Sequence, residues 1–241
     1  MTRVLRAAIF DVDGVLVDSP HERAWREALA GFADPAGFTT DFYQTHVAGK
    51  RRAEGARAVL ERLGGEGAAD HAAAYAERKQ ALIDRLIAEG SFVAFPDAIR
   101  LAVALKEAGL PMALASSSKN ADAMLARVSL PDGGTLLSLF DADLSGRDVP
   151  RGKPDPALFL LAAEAVGVPP AQCVVVEDAP AGITAARAGG MASLGIARLG
   201  DAALLRAAGA DLVVTSLDEL DVAALGGGVL RARAGAETAH A

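Results

Sequence analysis

The chain has 241 residues, with 24 Lys plus Arg against 31 Asp plus Glu, a formal net charge of −7, 51% hydrophobic and 23% charged residues. This supports one or two packed domains and excludes disorder of the chain as a whole. The negative balance argues against a nucleic-acid or anionic-membrane partner, which would need a basic face to release counterions, and leaves only local basic pockets open.

In chain order, the first apolar run, Ala7-Ala8-Ile9-Phe10, predicts a buried strand. It is too short, and too closely followed by Asp11 and Asp13, to be a signal peptide or a membrane span. With no other export signal and one cysteine, Cys173, which cannot form an internal disulfide, a reducing and cytoplasmic setting is expected. The stretch 18–95 carries helical patterning and no convincing strand: Trp25, Leu29 and Phe32 share one helix face, as do Val59, Leu60 and Leu63, and then Leu82, Ile83, Leu86 and Ile87. Beyond it come a helix over 97–108, a strand over 112–115, a helix over 156–166 and strands over 173–176, 192–196 and 211–214. Strands alternating with helices predict an α/β fold, a doubly wound parallel-sheet, Rossmann-like core, with the helical stretch inserted as a cap. The expected division is a core of 1–17 and 96–222, a cap of 18–95, and a flexible tail over 223–241, where Gly and Ala dominate.

Ligands of open parallel sheets bind beyond the carboxyl ends of the strands, so the polar residues that follow each apolar run are the candidates. Phe10 is followed by Asp11-Val12-Asp13-Gly14, Ala115 by Ser116-Ser117-Ser118-Lys119-Asn120, and Val176 by Glu177-Asp178. Each segment alone also fits a helix cap or a turn. Together they bring carboxylates, hydroxyls and a cation to one rim, and crowded carboxylates call for a hard cation such as Mg²⁺, which binds phosphate alongside. Lys153 precedes a predicted helix that leads back to the strand ending at Glu177, so it can reach the same rim; its alternative is a solvated loop lysine. Side chains at i and i+2 of an extended strand exit point the same way, which lets Asp11 and Asp13 flank one phosphate.

These segments, with Asp11 through Ser19, Gly152-Lys153-Pro154 and Val176 through Ile183, resemble the four motifs of the haloacid dehalogenase-like hydrolase superfamily. The inserted helices resemble the small α-helical cap of its β-phosphoglucomutase-like phosphatase subgroup. The resemblance implies Asp11 as a nucleophile that becomes an aspartyl phosphate, and Asp13 as general acid and then base. It implies Ser116 as a donor to the phosphoryl oxygens, Lys153 as charge balance, and Glu177 and Asp178 completing a Mg²⁺ site with Asp11 and the backbone carbonyl of Asp13. An aspartate at position 13 argues against dehalogenation, since the true dehalogenases lack a second acid there.

In the cap, His21 and Arg23-Ala24-Trp25 resemble the lead-in of the β-phosphoglucomutase cap, and Arg52 aligns with the arginine of a Gly-x-x-Arg phosphate-holding loop. Lys79 aligns with a cap lysine that organises substrate, and Ser117, Ser118, Lys119 and Asn120 are the expected core contacts to substrate. The alternatives are a helix-start imidazole for His21, a solvated basic face for Arg52, and cap core for Trp25. Gly55 and Ala48 depart from the mutase's serine and lysine, and the linker between Ser19 and His21 is two residues shorter, which weakens a second phosphate clamp. The resemblance therefore favours a Mg²⁺-dependent phosphatase of a small phosphorylated metabolite, acting as a monomer or small homo-oligomer. A phosphosugar isomerase of the mutase type and a sugar-phosphate sensor without turnover stand as alternatives.

Overall fold

The computed structural model describes residues 4–235. The chain opens with strand β1 (Ala7–Phe10), then forms a short ribbon of β2 (Val17–Asp18) and β3 (Val93–Ala94), which pair antiparallel on either side of the inserted helices. Those helices are α1 (His21–Ala28), α2 (Thr40–His46), α3 (Arg52–Leu63) and α4 (Ala72–Ala88). The core continues with α5 (Pro96–Glu107), β4 (Met112–Leu114), α6 (Ala121–Leu125) and β5 (Ala142–Asp143). It ends with α7 (Ala157–Ala165), β6 (Cys173–Glu177), α8 (Pro180–Ala188), β7 (Ala192–Ile196), α9 (Ala202–Ala208), β8 (Leu212–Val214) and α10 (Val222–Gly226).

The six core strands form a parallel sheet in the order β5-β4-β1-β6-β7-β8. Successive side chains point to opposite faces of the sheet. Ala8, Phe10, Met112, Leu114, Val174, Val176 and Leu194 face one hydrophobic cluster, while Ala7, Ile9, Ala113, Cys173 and Val175 face the other. A sheet buried on both faces explains why its strands are continuous apolar runs rather than alternating ones. The chain winds outward from β1 to β4 and β5, then crosses to β6 on the other side of β1. The end of β1 is therefore the switch point where an open sheet leaves a crevice. Asp11 and Asp13 continue the side-chain parity of Ala7 and Ile9 into that crevice, whereas Val12 turns into the core.

The cap has its own apolar cluster of Trp25, Leu29, Phe38, Val59, Leu60 and Tyr75. Ile83, Leu86 and Ile87 at the far end of α4 instead pack with the core cluster. Tyr75 closes the cap interior by donating its hydroxyl to the Trp25 carbonyl at 2.8 Å. No helix among the described residues is long and apolar enough to cross a membrane.

The flexible tail expected from residue 223 is not what the described residues do. Asp221 caps α10 through the Ala224 amide at 2.9 Å, Leu225 is buried in the core, and Leu220 bridges to Ala232. The glycines that suggested fraying form the turn out of the helix: Gly228 has φ +89° and its carbonyl accepts from the Leu5 amide at 2.9 Å. One buried leucine and one capping aspartate outweigh a low-complexity composition; residues 236–241 lie outside the described residues. Leu225→Ala should lower stability by about 2–5 kcal/mol, the range for emptying a buried leucine site. A urea midpoint unchanged by this substitution would return the segment to a frayed tail.

Candidate functional site

At the end of β1 the ladder continues one residue past the strand, with the Asp11 amide bonded to the Val176 carbonyl at 3.0 Å. Asp11 is thereby fixed at the sheet edge, and it is buried. Lys153, whose side chain is fully buried, reaches under it and bonds Asp11 Oδ1 at 2.6 Å and Glu177 Oε1 at 2.5 Å. The Lys153 ammonium also lies 4.7 Å from the centre of the Phe159 ring, contributed by the first turn of α7. Burial opposes the charge on Lys153, but Asp11 and Glu177 overcome it and hold the lysine pKa above its ordinary value. For Asp11, burial raises the carboxyl and Asp13 adds to that, while Lys153 works in the other direction.

Glu177 is spoken for on both oxygens, since Oε2 accepts from the Asp178 and Ala179 amides, each at 3.0 Å. Two glycines make room for these carboxylates. A Cβ on Gly182 would lie 1.8 Å from Glu177 Oε1, and one on Gly14 would lie 1.9 Å from Asp178 Oδ2. Gly14 also has φ +79°, a conformation that only glycine adopts readily, which turns the chain away after Asp13. Asp11, Glu177 and Asp178 each present an oxygen within 4.8 Å of the others, the spacing of a cation site. Asp178 is pushed well above the usual carboxylate range by burial, then by Glu177 and Asp11, so its ionised form calls for a positive charge beyond that of Lys153. Hard oxygen donors in excess of their counter-charge fit a divalent cation such as Mg²⁺.

Asp13 does not belong to that trio: its carboxylate turns toward the cap. Oδ2 accepts from the Ser116 hydroxyl at 3.4 Å and Oδ1 lies 3.3 Å from His21 Nε2. His21 sits at the start of α1, with Nε2 also 3.2 Å from the Ser118 hydroxyl and Nδ1 2.5 Å from Lys79 Nζ. Burial, then the Lys79 charge, lowers the His21 pKa well below its ordinary value, which leaves a neutral imidazole. Lys79 is itself buried against Trp25, and burial brings it down to about 7. The chain Lys79, His21, Asp13 thus runs from the cap to the sheet edge.

The remaining expected residues line the same cavity, of about 510 Å³, between cap and core. The Ser117 hydroxyl donates to the Gly49 carbonyl at 2.9 Å and so seats the cap loop on the core. Asn120 accepts from Gln80 at 3.2 Å, and Arg52, at the mouth, bonds the other end of the Gln80 amide. Lys119 faces solvent beside Asp148, at 3.4 Å. Lys153 and Glu177 lie beneath the cavity rather than in its wall.

Sequence reasoning missed Tyr43 and Gln44, which α2 presents to the cavity. Gln44 is buried, and its Oε1 has no hydrogen-bond partner among the described residues. Burial and then Asp13, Asp178, Glu22 and Asp11 raise the Tyr43 phenol, which keeps its proton. Neither residue belongs to a motif, and nothing in the local sequence sets these two polar groups apart from the many others of the cap helices. Gly55, which departs from the expected serine, has a packing reason: a Cβ there would press on Trp25 at 3.2 Å and Val47 at 3.3 Å.

A family profile described as haloacid dehalogenase-like hydrolase matches residues 5–190. The chain is 36% identical to a β-phosphoglucomutase of Mycobacterium tuberculosis, over 90% of this chain and 91% of the relative. It is 33% identical to hexitol phosphatase A of Escherichia coli, over 89% of this chain and 92% of the relative. Among solved structures, an archaeal β-phosphoglucomutase from Pyrococcus superimposes with TM-score 0.71 at 33% identity, covering 91% of this chain and 96% of the other.

Gly182→Ala should uncouple the site without unfolding α8, because alanine favours a helix while its methyl displaces the Glu177 carboxylate that holds Lys153. The expected result is a thermal midpoint within a few degrees of the parent and weaker divalent-cation binding by calorimetry. Parent-like cation affinity would mean that Glu177 does not shape the site.

Proposed function

Because the chain belongs to the haloacid dehalogenase-like hydrolase family, in its β-phosphoglucomutase-like subgroup, we propose that it is a Mg²⁺-dependent phosphatase that hydrolyses a small phosphorylated sugar or polyol through an aspartyl phosphate on Asp11. The observation that carries the reading is the contrast between two neighbouring carboxylates. Asp11 is bonded to a buried ammonium at 2.6 Å, which favours its ionised form, whereas Asp13 is turned to a neutral imidazole and a hydroxyl. Carboxylates set in environments this different take different parts, one as nucleophile and the other as proton carrier.

Asp11 attacks phosphorus in line with the ester oxygen; the bond to that oxygen breaks as Asp13 gives it a proton. Asp13, now ionised, then takes a proton from water, which attacks the acyl phosphate and releases inorganic phosphate and free Asp11. Lys153 stays protonated throughout and holds Asp11 in line, and Ser116 donates to the phosphoryl oxygens. His21 keeps Asp13 oriented while the cap excludes bulk water. Asp11 and Asp178, with Glu177 behind them, would hold the Mg²⁺, which offsets charge on the phosphoryl oxygens.

The carbon skeleton of the substrate would lie against α2 and Trp25, with its hydroxyl groups within reach of Gln44 and Tyr43. A buried amide oxygen with no protein partner suits a ligand hydroxyl, because leaving it unsatisfied costs about 1–3 kcal/mol. The isomerase reading draws support from the mutase relatives and from the His21 and Lys79 pair. Ala48 and Gly55 count against it, since the cap offers no side chain for a second phosphate at either place.

With Mg²⁺ and a panel of sugar and polyol phosphates, the protein should release inorganic phosphate, and Asp11→Asn should bring that release to background. Turnover that survives the substitution would remove Asp11 as nucleophile. With β-glucose 1-phosphate and a trace of the bisphosphate, glucose and phosphate are expected; accumulation of glucose 6-phosphate would establish the isomerase. Gln44→Leu should raise KM for the preferred polyol or sugar phosphate about 5- to 10-fold, the loss of one neutral hydrogen bond, with little change in kcat.

A further inference from the structure

Arg198, two residues past β7, makes four hydrogen bonds, none of them to a group that the chemistry uses. Nε donates to the Gly14 carbonyl at 3.0 Å and one terminal nitrogen to the Val15 carbonyl at 3.1 Å. The same guanidinium forms a two-pronged pair with Asp97, both bonds 3.1 Å, and stacks 3.7 Å from the centre of the Phe95 ring. Asp97 in turn accepts from the Ser216 hydroxyl at 3.0 Å and the Leu217 amide at 2.8 Å, beyond β8. Arg198 and Asp97 are both largely buried, with side chains 15% and 8% exposed.

The positions of these partners along the chain give the contact its meaning. Gly14 and Val15 come just before β2, the outgoing linker to the cap; Phe95 and Asp97 come just after β3, the returning one. One guanidinium therefore grips both linkers at their base, and the Phe95 amide, bonded to the Leu16 carbonyl at 2.9 Å, ties the two to each other. This grip and the β2–β3 ribbon, which pairs Val17 with Ala94 and Asp18 with Val93, together fix the base of the two linkers, so any turning of the cap falls beyond the ribbon.

We propose that Arg198 and Asp97 are positioning residues that pin the base of the cap hinge, so that the cap wall of the cavity, with Trp25, Tyr43 and Gln44, meets an enclosed substrate in register. The planar fork is essential to this role. Lysine keeps the charge but cannot hold two carbonyls and a carboxylate in one plane. Because the pin acts through cap closure, its loss should fall on substrates that the cap must enclose. It should spare one that needs only the sheet edge. This inference rests on the phosphatase reading for its activity test, and hydrogen exchange gives a second test that does not.

Arg198→Lys and Asp97→Asn are compared with the parent on the best sugar or polyol phosphate of the panel and on acetyl phosphate, which is too small to reach the cap. Both variants should lose about 100-fold in kcat/KM on the larger substrate, the scale of a misplacement of about 1 Å. Acetyl phosphate turnover should stay within about 3-fold. The Phe95 amide should exchange faster in both variants. An equal loss on both substrates, or no loss on either, overturns the proposal. If the parent hydrolyses neither compound, the phosphatase reading fails on its own, and the hinge pin then stands or falls with exchange at Phe95: faster exchange supports it and unchanged exchange overturns it. Should Arg198→Lys fail to fold, Asp97→Asn alone decides, since it leaves the two carbonyl bonds of Arg198 in place.

Discussion

The site is organised around an ammonium group that has no access to water. Lys153 is buried between Asp11 and Glu177, and either carboxylate left without it would be a buried, uncompensated charge, a far costlier condition than the pair itself. Three carboxylates converge there against one lysine. The two negative charges left over equal the charge of one divalent cation, so under the proposed reading the protein is built to be completed by Mg²⁺ and then to receive a phosphate. The net charge of −7 does not oppose an anionic substrate for the same reason: four of the acids lie at this one edge, and under the proposed reading three of them would serve a cation.

Everything around Lys153 serves to keep that geometry fixed. The parallel ladder carries Asp11 one residue beyond β1, the turn after β6 binds one Glu177 oxygen with two backbone amides, and Gly14 and Gly182 leave space for the carboxylates beside them. These parts come from the core, whereas Asp13 receives its partner His21 from the cap. Under the proposed reading this division separates chemistry from specificity: core groups would handle the phosphoryl group, and the cap would decide what may be attached to it. Arg198 stands at the boundary, on a loop of the core and bonded to both cap linkers.

The core was legible in the sequence because its strands are buried on both faces and end abruptly in polar residues, which fixed the position of Asp11, Asp13, Ser116, Glu177 and Asp178 at one rim. Lys153 was legible as able to reach the rim from its place before α7 and from the motif around it, but nothing local says that a loop lysine is buried. The two-residue strands β2, β3 and β5 escaped because they are too short to show a period. The C-terminal segment was misread because composition hides single anchoring residues such as Leu225. Arg198, Tyr43 and Gln44 were invisible for a different reason: their partners lie far away in sequence, and only the fold brings them together.

The proposed chemistry turns on one covalent event, transfer of the phosphoryl group to the carboxylate that Lys153 holds. A single turnover in water enriched in ¹⁸O, with enzyme in excess over its best substrate, followed by mass analysis of the peptide that contains residue 11, tests this most directly. Under the proposed mechanism phosphorus leaves Asp11 by attack of water on phosphorus, so the heavy oxygen should appear in the released phosphate in the first turnover, and substrate labelled with ¹⁸O in its phosphoryl group should leave none on Asp11. Reductive trapping during that same turnover should mark Asp11 and no other carboxylate. Heavy oxygen in the phosphate with no trapped adduct at Asp11 would mean that water attacks the substrate directly, and would contradict the account.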